Sequence, residues 1–521
     1  MKHSVPIRGL VGAPRSPIFQ GRFGRMFRGA PSATFGVDNG DTVPALEALA
    51  TAMLGDDGPS DGKDGEESGI PSLYTYLGQF IDHDLTFDPA SSLQKQNDPN
   101  ALADFRDPAF DLDCVYGRGP DDQPYMYEGD SGRQTFLLGD PITGGHPTAR
   151  DLPRGPNGRA LIGDPRNDEN AIVSQLQGLF HRFHNRVIAD NPDISFQEAQ
   201  QLVRFHYQYI VLNDFLPRII SKHVLDKLRT NGHFDHHKIE FYHWRNDPFM
   251  PVEFSGACYR FGHSMVRPGY RIQDEPAPPA PTKLLSIFPD LVGFQRVKVD
   301  NALDWGRFID VPPLKDDGND KDRLQFAYRL DTSVVKPLGD LPHPGVVSGK
   351  PFSLVERNLV RGLRLGLPSG QSVAGIMGID PIPDDKIWVG KAEDDNLNNP
   401  GNFSSILQLK SDGTFEPAGT EGDLADVFRG NCPLWVYILA EAMHHVDTNV
   451  EVPVSIPGTR ISTPQLGPVG GRIVAEVFLG LMFADDDSLL SLNRNWTPVD
   501  KDGNKLTHYK LKDFVNYALG N

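Results

Sequence analysis

Apolar residues recur every three or four positions in several stretches of the chain, the spacing of a helix with one buried face. Leu73, Leu77, Phe80 and Ile81 stand at i, i+4, i+7 and i+8. Ile172, Leu176, Leu179, Phe183 and Val187 keep the spacing over four turns. Ser195 and Glu198 make a capping-box pattern ahead of a helix predicted over Gln197–Phe215. Ser353 and Glu356 make another ahead of Leu354–Leu365, and further helices are predicted over Leu434–His444 and Gly471–Leu481. Strand-like alternation is sparse, so the class is mostly α with little β. The 52 glycines and 44 prolines are spread along the chain and predict long irregular connections. Asp56–Ser68, Asp274–Pro281 and Lys315–Asp322 read as exposed loops. The pattern divides the chain into an N-terminal arm with an acidic loop, 1–70, and one helical domain, 71–521.

Composition narrows this picture. With 521 residues, 39% hydrophobic and 23% charged, the chain can bury a large core. A net charge of −18 argues against nucleic acid as a partner, because phosphate binding needs a basic face. No run of eighteen apolar residues occurs, so no membrane-spanning helix is expected. Cys114, Cys258 and Cys432 are too few for a disulfide framework and fit a reducing compartment. Met1–Ala30 carries several arginines and no apolar signal core. Cytoplasm or a non-standard export route follows from that reading.

Five segments could carry chemistry. In Gly78-Gln79-Phe80-Ile81-Asp82-His83-Asp84, Gln79 and His83 lie one helical turn apart and share a face, while Asp84 projects elsewhere. A solvated polar helix end fits the same spacing. In Gly163–Glu169, Asp168 is a candidate N-cap, and Arg166 precedes the helix on an ordered turn or faces solvent. His263, in Tyr259–Ser264, lies among apolar and small residues and reads as buried, as a ligand or as a hydrogen-bonded core histidine. Asn358 and Arg361 share a helix face, functional or merely polar. Asp107, Asp111 and Asp113 offer hard oxygen ligands of the kind calcium takes, or form a solvated acidic turn.

Taken in order and spacing, these segments resemble the animal-type haem peroxidases, the family of myeloperoxidase and lactoperoxidase, and most of all a bacterial member with a single catalytic unit. The resemblance implies a helical haem peroxidase catalytic domain over 71–521 that binds haem b. GQFIDHD resembles the distal helix, which makes His83 the catalytic acid and base and Gln79 its pocket neighbour. GDPRNDEN resembles the segment that supplies the distal arginine, here Arg166. RFGHS resembles the proximal segment and makes His263 the iron ligand. RNLVRG makes Asn358 the acceptor for His263's other nitrogen and Arg361 the partner of a haem propionate; the family's Gln is Val360 here. Asp82 and Glu169 stand where the family forms ester links to haem. Asp84, Asp107, Ala109 (through its carbonyl), Asp111 and Asp113 resemble the calcium site. The residue after Glu169 is Asn170, so myeloperoxidase's further methionine link is not expected.

The implied activity is reduction of hydrogen peroxide with oxidation of a small anionic or organic electron donor. Halides, pseudohalides and organic molecules are all in scope, with chloride disfavoured by Asn170. One rival is a fatty-acid dioxygenase on the same scaffold. Such enzymes carry a radical-forming tyrosine three residues before the proximal histidine, where this chain has Arg260. A second rival is a calcium-binding scaffold or adhesion module without haem activity.

Overall fold

The computed structural model describes residues 23–40, 42–55, 65–86, 108–244, 248–273, 284–311, 324–341, 353–450, 460–500 and 503–520. The predicted loops Asp274–Pro281 and Lys315–Asp322, most of the acidic loop and Asp107 lie outside the described residues.

The architecture is helical. The longer helices are α1 (Pro44–Met53), α2 (Leu73–Leu85), α3 (Ala171–Asp190), α4 (Phe196–Ile210), α5 (Leu354–Arg364), α6 (Leu434–Ala442), α7 (Gly470–Ala484) and α8 (Leu511–Leu519). Every described strand pairs within a two-stranded ladder. One ladder sets the site: Glu67–Pro71 runs antiparallel to Phe326–Tyr328 and leads through Ser72 into α2. A buried ion pair, Arg267 to Glu67 at 2.7 Å, pins its start. No described helix is long and apolar enough to cross a membrane.

Local sequence explains the boundaries. Ser195 accepts from Glu198 N, and the Glu198 side chain returns to Ser195 N, so the predicted capping box forms and opens α4. The chain then continues through a π turn at Val211–Phe215, as far as the pattern predicted. Ser353 accepts from Glu356 N at 3.4 Å and opens α5. The predicted N-cap of α3 is corrected. Asn170, not Asp168, caps it, accepting from Ile172 N at 3.1 Å and Val173 N at 2.9 Å. Asp168 is taken up by Arg154, whose guanidinium reaches both carboxylate oxygens at 2.7 and 2.8 Å.

α3 is the spine of the site half. Phe80 of α2 stacks on Phe180 of α3 with centroids 4.5 Å apart, and Phe183 stacks on Phe514 of α8 at 4.1 Å. The first described residues join the same core, through Phe23, Phe27, Phe35, Leu46 and Leu49. Every residue of α6 is buried, and α7 is buried on nearly all sides, as helices apolar all round must be.

The start of α7 lies inside the protein, where its free amides need an acceptor. Glu441 supplies one, taking Val469 N and Gly470 N at 2.9 Å each. Burial pushes this carboxyl up to about 7. The folded chain therefore holds the Glu441 proton more tightly than the unfolded chain does, and this group lowers stability as pH rises from about 4.5 towards 7. Glu441→Gln should flatten the pH dependence of thermal stability across that window, by up to ~1.4 kcal/mol per pH unit. Thermal melts of both proteins at several pH values check this; an unchanged slope contradicts it.

Candidate active site

α2 delivers its last turn to a turn at Pro165–Asp168, which Asp164 opens by accepting from Arg166 N at 2.8 Å. His83 is 5% exposed, and its Nδ1 lies 2.7 Å from Asn167 Oδ1. An amide oxygen can only accept, so His83 Nδ1 carries a proton and donates it to Asn167. The amide of Asn167 is held in that sense from behind. Its Nδ2 donates to Gln177 Oε1 at 2.8 Å, and Gln177 Nε2 donates to His181 Nε2 at 3.0 Å. Burial depresses His181 to about 3, which keeps it neutral and able to accept.

His83 Nε2 looks towards Glu169, with Oε1 at 3.5 Å. Gln79 Nε2 donates to the same oxygen, and Asn170 Nδ2 donates to Gln79 Oε1 at 3.1 Å. The predicted shared face of Gln79 and His83 is therefore present, and Glu169 closes it. Burial and the charge of Asp82 raise the Glu169 carboxyl; His83 and Arg166 pull it back.

Arg166 sits beside this group in a structural grip. Its Nη2 donates to Asp164 Oδ2 at 2.8 Å, to the His83 carbonyl at 2.9 Å and to the Thr86 carbonyl. It thereby clamps the C-terminal turn of α2, a favourable place for a cation near unpaired carbonyls.

Asp84 points away from His83, as its helical position requires. It is fully buried and accepts from Leu112 N at 3.3 Å and Cys114 N at 3.5 Å. α4 grips the same loop from the other side: Arg204 Nε donates to the Asp111 carbonyl at 2.6 Å and Gln208 Nε2 to the Phe110 carbonyl at 2.8 Å. Asp111 in turn accepts from Asp113 N at 3.0 Å. Asp84, Asp111 and Asp113 thus belong to one loop junction. Their carboxylates do not converge as a ready three-oxygen cage among the described residues.

On the other wall, His263 ends a tight 3-10 turn at Cys258–His263 instead of sitting on a regular α-helix. Asn358 on α5 is 2% exposed, and its Nδ2 lies 2.8 Å from His263 Nδ1. Its Oδ1 accepts from Arg260 Nη1 at 3.2 Å. In this sense the amide donates to His263. The expected acceptor role needs the amide turned over and Arg260 released from Oδ1. Burial and the Arg260 charge hold His263 at about 3, so the imidazole is neutral. Burial and Arg361 push Arg260 down to about 10, and Asp82 pulls it up.

Asp82 links the two walls. Its charge acts on Glu169 on one side and on Tyr259 and Arg260 on the other. Tyr259 also donates to the Gly78 carbonyl at 3.2 Å, tying the 3-10 turn to α2. A haem group suits this donor set. Two neutral-capable imidazoles stand on neighbouring segments, two arginines could meet propionates, and two carboxyls stand near His83. A Cβ built on Gly262, beside His263, meets nothing within 4 Å, so there is open space there.

Residues 108–288 match the model of the animal haem peroxidase family. Chorion peroxidase of Drosophila melanogaster is 36% identical over 121 residues, 22% of this chain and 15% of that protein. Human eosinophil peroxidase is 28% identical over 153 residues, 28% of this chain and 20% of that one. The matched stretches thus span a fifth or less of these relatives. Peroxidase A from Dictyostelium discoideum superimposes with a TM-score of 0.54 at 14% identity, over 94% of this chain and 92% of that one. A fatty acid alpha-dioxygenase from Arabidopsis thaliana gives 0.55 at 14% identity, over 94% and 76%. At that identity the likeness is one of fold. The sequence likeness to the animal haem peroxidase family is thus confined to part of the chain, and over the rest the likeness is one of fold.

Asn167, Gln177 and His181 were not singled out in the sequence, although Gln177 and His181 stand at i and i+4 on α3. Their order fixes one tautomer of His83. Nitrogen NMR of histidine-labelled, haem-free protein should find His83 protonated at Nδ1. Asn167→Leu should lose that preference. A wild-type His83 protonated at Nε2 contradicts the relay.

Proposed function

We propose that this chain is a haem-dependent peroxidase that reduces hydrogen peroxide and oxidises small anionic or organic donors. The observation that carries the reading is the His83–Asn167 hydrogen bond of 2.7 Å, which turns the other imidazole nitrogen to the side of Glu169 and Gln79. Bound haem would supply the redox-active iron and porphyrin, the chemistry no side chain offers. His263 would hold it through Nε2 with the Asn358 amide turned over, so that its oxygen accepts from Nδ1 and orients the ring. Arg361, with Arg260 nearby, would meet propionates.

His83 Nε2 would take the proton from one peroxide oxygen and deliver it to the other, which leaves as water. The proton on Nδ1 stays with Asn167 throughout. Arg166 supplies positive charge near the departing oxygen, and its grip on the His83 and Thr86 carbonyls makes it a positioning residue as well. Gln79 orders the polar side of the pocket. Asp82 and Glu169 are the carboxyls for ester links to haem, and burial already favours the neutral form of Glu169. Asp84 with Asp107, the Ala109 carbonyl, Asp111 and Asp113 would take a calcium ion that stiffens the turn bearing His83. Asn170 is committed to capping α3 and to Gln79. Because Asn170 and not a methionine follows Glu169, a further methionine link is absent, and bromide, iodide, thiocyanate or organic donors are favoured over chloride.

The dioxygenase reading shares the fold but lacks its reactive side chain. Arg260 occupies the critical position and donates to the Ser255 carbonyl at 2.9 Å. Its neighbour Tyr259 is committed to the Gly78 carbonyl.

The test is peroxide-dependent donor oxidation by haem-loaded protein. His83→Ala should retain haem and lose activity by about 10²- to 10⁴-fold. Equal activity in wild type and variant contradicts the assignment. Oxygen uptake with linoleate and no peroxide would favour the dioxygenase instead.

A further inference from the structure

A hairpin that shares no residue with the candidate active site gathers donors of another kind. Arg229–Thr230 and His233–Phe234 pair antiparallel across Asn231 and Gly232, whose φ angles of 52° and 84° make the tight turn that an Asn-Gly pair favours. Asp235 N donates to the Leu228 carbonyl at 3.0 Å and closes the hairpin's end. A 3-10 turn, His236–Lys238, follows at once. Asp235, His236 and His237 each bring one donor atom to within 4.8 Å of the other two, and no other trio of His, Cys, Asp and Glu among the described residues gathers so closely. The two imidazole centroids are 3.9 Å apart, and His236 Nδ1 is 3.9 Å from Asp235 Oδ1. Both histidines are exposed, and Asp235 is half-buried.

The carboxylate is fixed and the imidazoles can adjust around it. Asp235 Oδ2 accepts from Thr230 Oγ1 at 2.7 Å, and Oδ1 accepts from His237 N at 3.0 Å. These two bonds hold the carboxyl below its ordinary range and still leave each oxygen a lone pair. The His236 ring meets Phe483 of α7 edge-on at 5.6 Å. Arg472 of α7 donates to the Lys238 carbonyl at 2.9 Å, which ties the turn to the body of the fold, and its own charge is paired with Glu476 and Glu240. Neighbouring ligands of a zinc ion, each bound at about 2.0–2.2 Å, lie roughly 3–3.5 Å apart. The three donors therefore have to close by on the order of 1 Å, within reach of small χ rotations of exposed side chains.

We propose that Asp235, His236 and His237 form a surface site for a divalent transition-metal ion of the zinc class. Two imidazoles and one carboxylate supply three protein ligands, and water takes the fourth position. The two nitrogen donors select against calcium and magnesium, which take oxygen ligands. A net charge of −18 raises the local concentration of cations around the chain. The bound ion cross-links the end of the hairpin to the turn that α7 holds. The site does not rest on the peroxidase reading.

The experiment is calorimetric titration of the full chain with zinc chloride in excess magnesium, with and without added haem. Wild type should show a zinc-binding event that haem does not change. His236→Gln and His237→Gln should each weaken that event by about tenfold or more, at least the effect of losing an outer-shell partner of a metal site. Asp235→Asn keeps a good cap for the turn, removes the charge and should weaken the event too. His508→Gln, at an exposed histidine elsewhere, should leave it unchanged. Circular dichroism should be the same for all four variants as for wild type. No zinc event in wild type, or an event undiminished in His236→Gln and His237→Gln, overturns the proposal. If a histidine variant does not fold, Asp235→Asn decides, and undiminished zinc binding there overturns it equally. Failure to bind haem or to oxidise donors bears on the peroxidase reading alone and leaves the zinc result to stand by itself.

Discussion

The last turn of α2 has to point three consecutive side chains at three different partners without moving. Asp82 looks across to Arg260, His83 to Asn167, and Asp84 to the amides of Leu112 and Cys114. A helix turns about 100° per residue, so only a fixed turn can serve all three directions. Arg166 provides the fixing. It binds the carbonyls of His83 and Thr86, which the helix end leaves without internal partners, and it is itself held by Asp164. Phe80 stacked on Phe180 anchors the same helix one turn earlier. The site is thus supported from its backbone, its core face and its loop.

Charge is handled by pairing where it is buried and by placement where it has work to do. Arg154, with its side chain 1% exposed, binds Asp151 and Asp168 together and keeps both away from the pocket. Breaking such a buried pair would strand the partner charge and is strongly destabilising. Asp82, Glu169, Arg260 and Arg361 are different: Asp82 acts on both Glu169 and Arg260, and Arg361 acts on Arg260. Each shifts its neighbours, and Arg260 and Glu169 are both pushed towards their neutral forms by burial. A haem bearing propionates and electrophilic edge carbons would give such charges partners of matching chemistry.

Much of the helical frame was legible in the chain. The apolar spacing from Ile172 to Val187 needs only local geometry to declare itself, and so does the Ser195–Glu198 box. The shared face of Gln79 and His83 followed from their spacing on α2, and Glu169 as its common partner did not. What was not legible depended on distant partners. Asp168 and Asn170 are both good N-caps, and the choice fell to Asn170 because Arg154, far back along an irregular stretch, takes Asp168. The 3-10 turn carrying His263 has no period to read. The direction of the Asn358 amide is set by Arg260, and that of Asn167 by Gln177, two contacts that no spacing rule contains.

We propose that His263 and His83 serve one bound haem with unequal roles, His263 holding it and His83 moving protons. Titrating haem into the recombinant chain and following the Soret band tests it directly. Wild type and His83→Ala should each take one equivalent, and His263→Ala should form no stable complex. Normal haem uptake by His263→Ala, or loss of uptake in His83→Ala alone, would contradict the account.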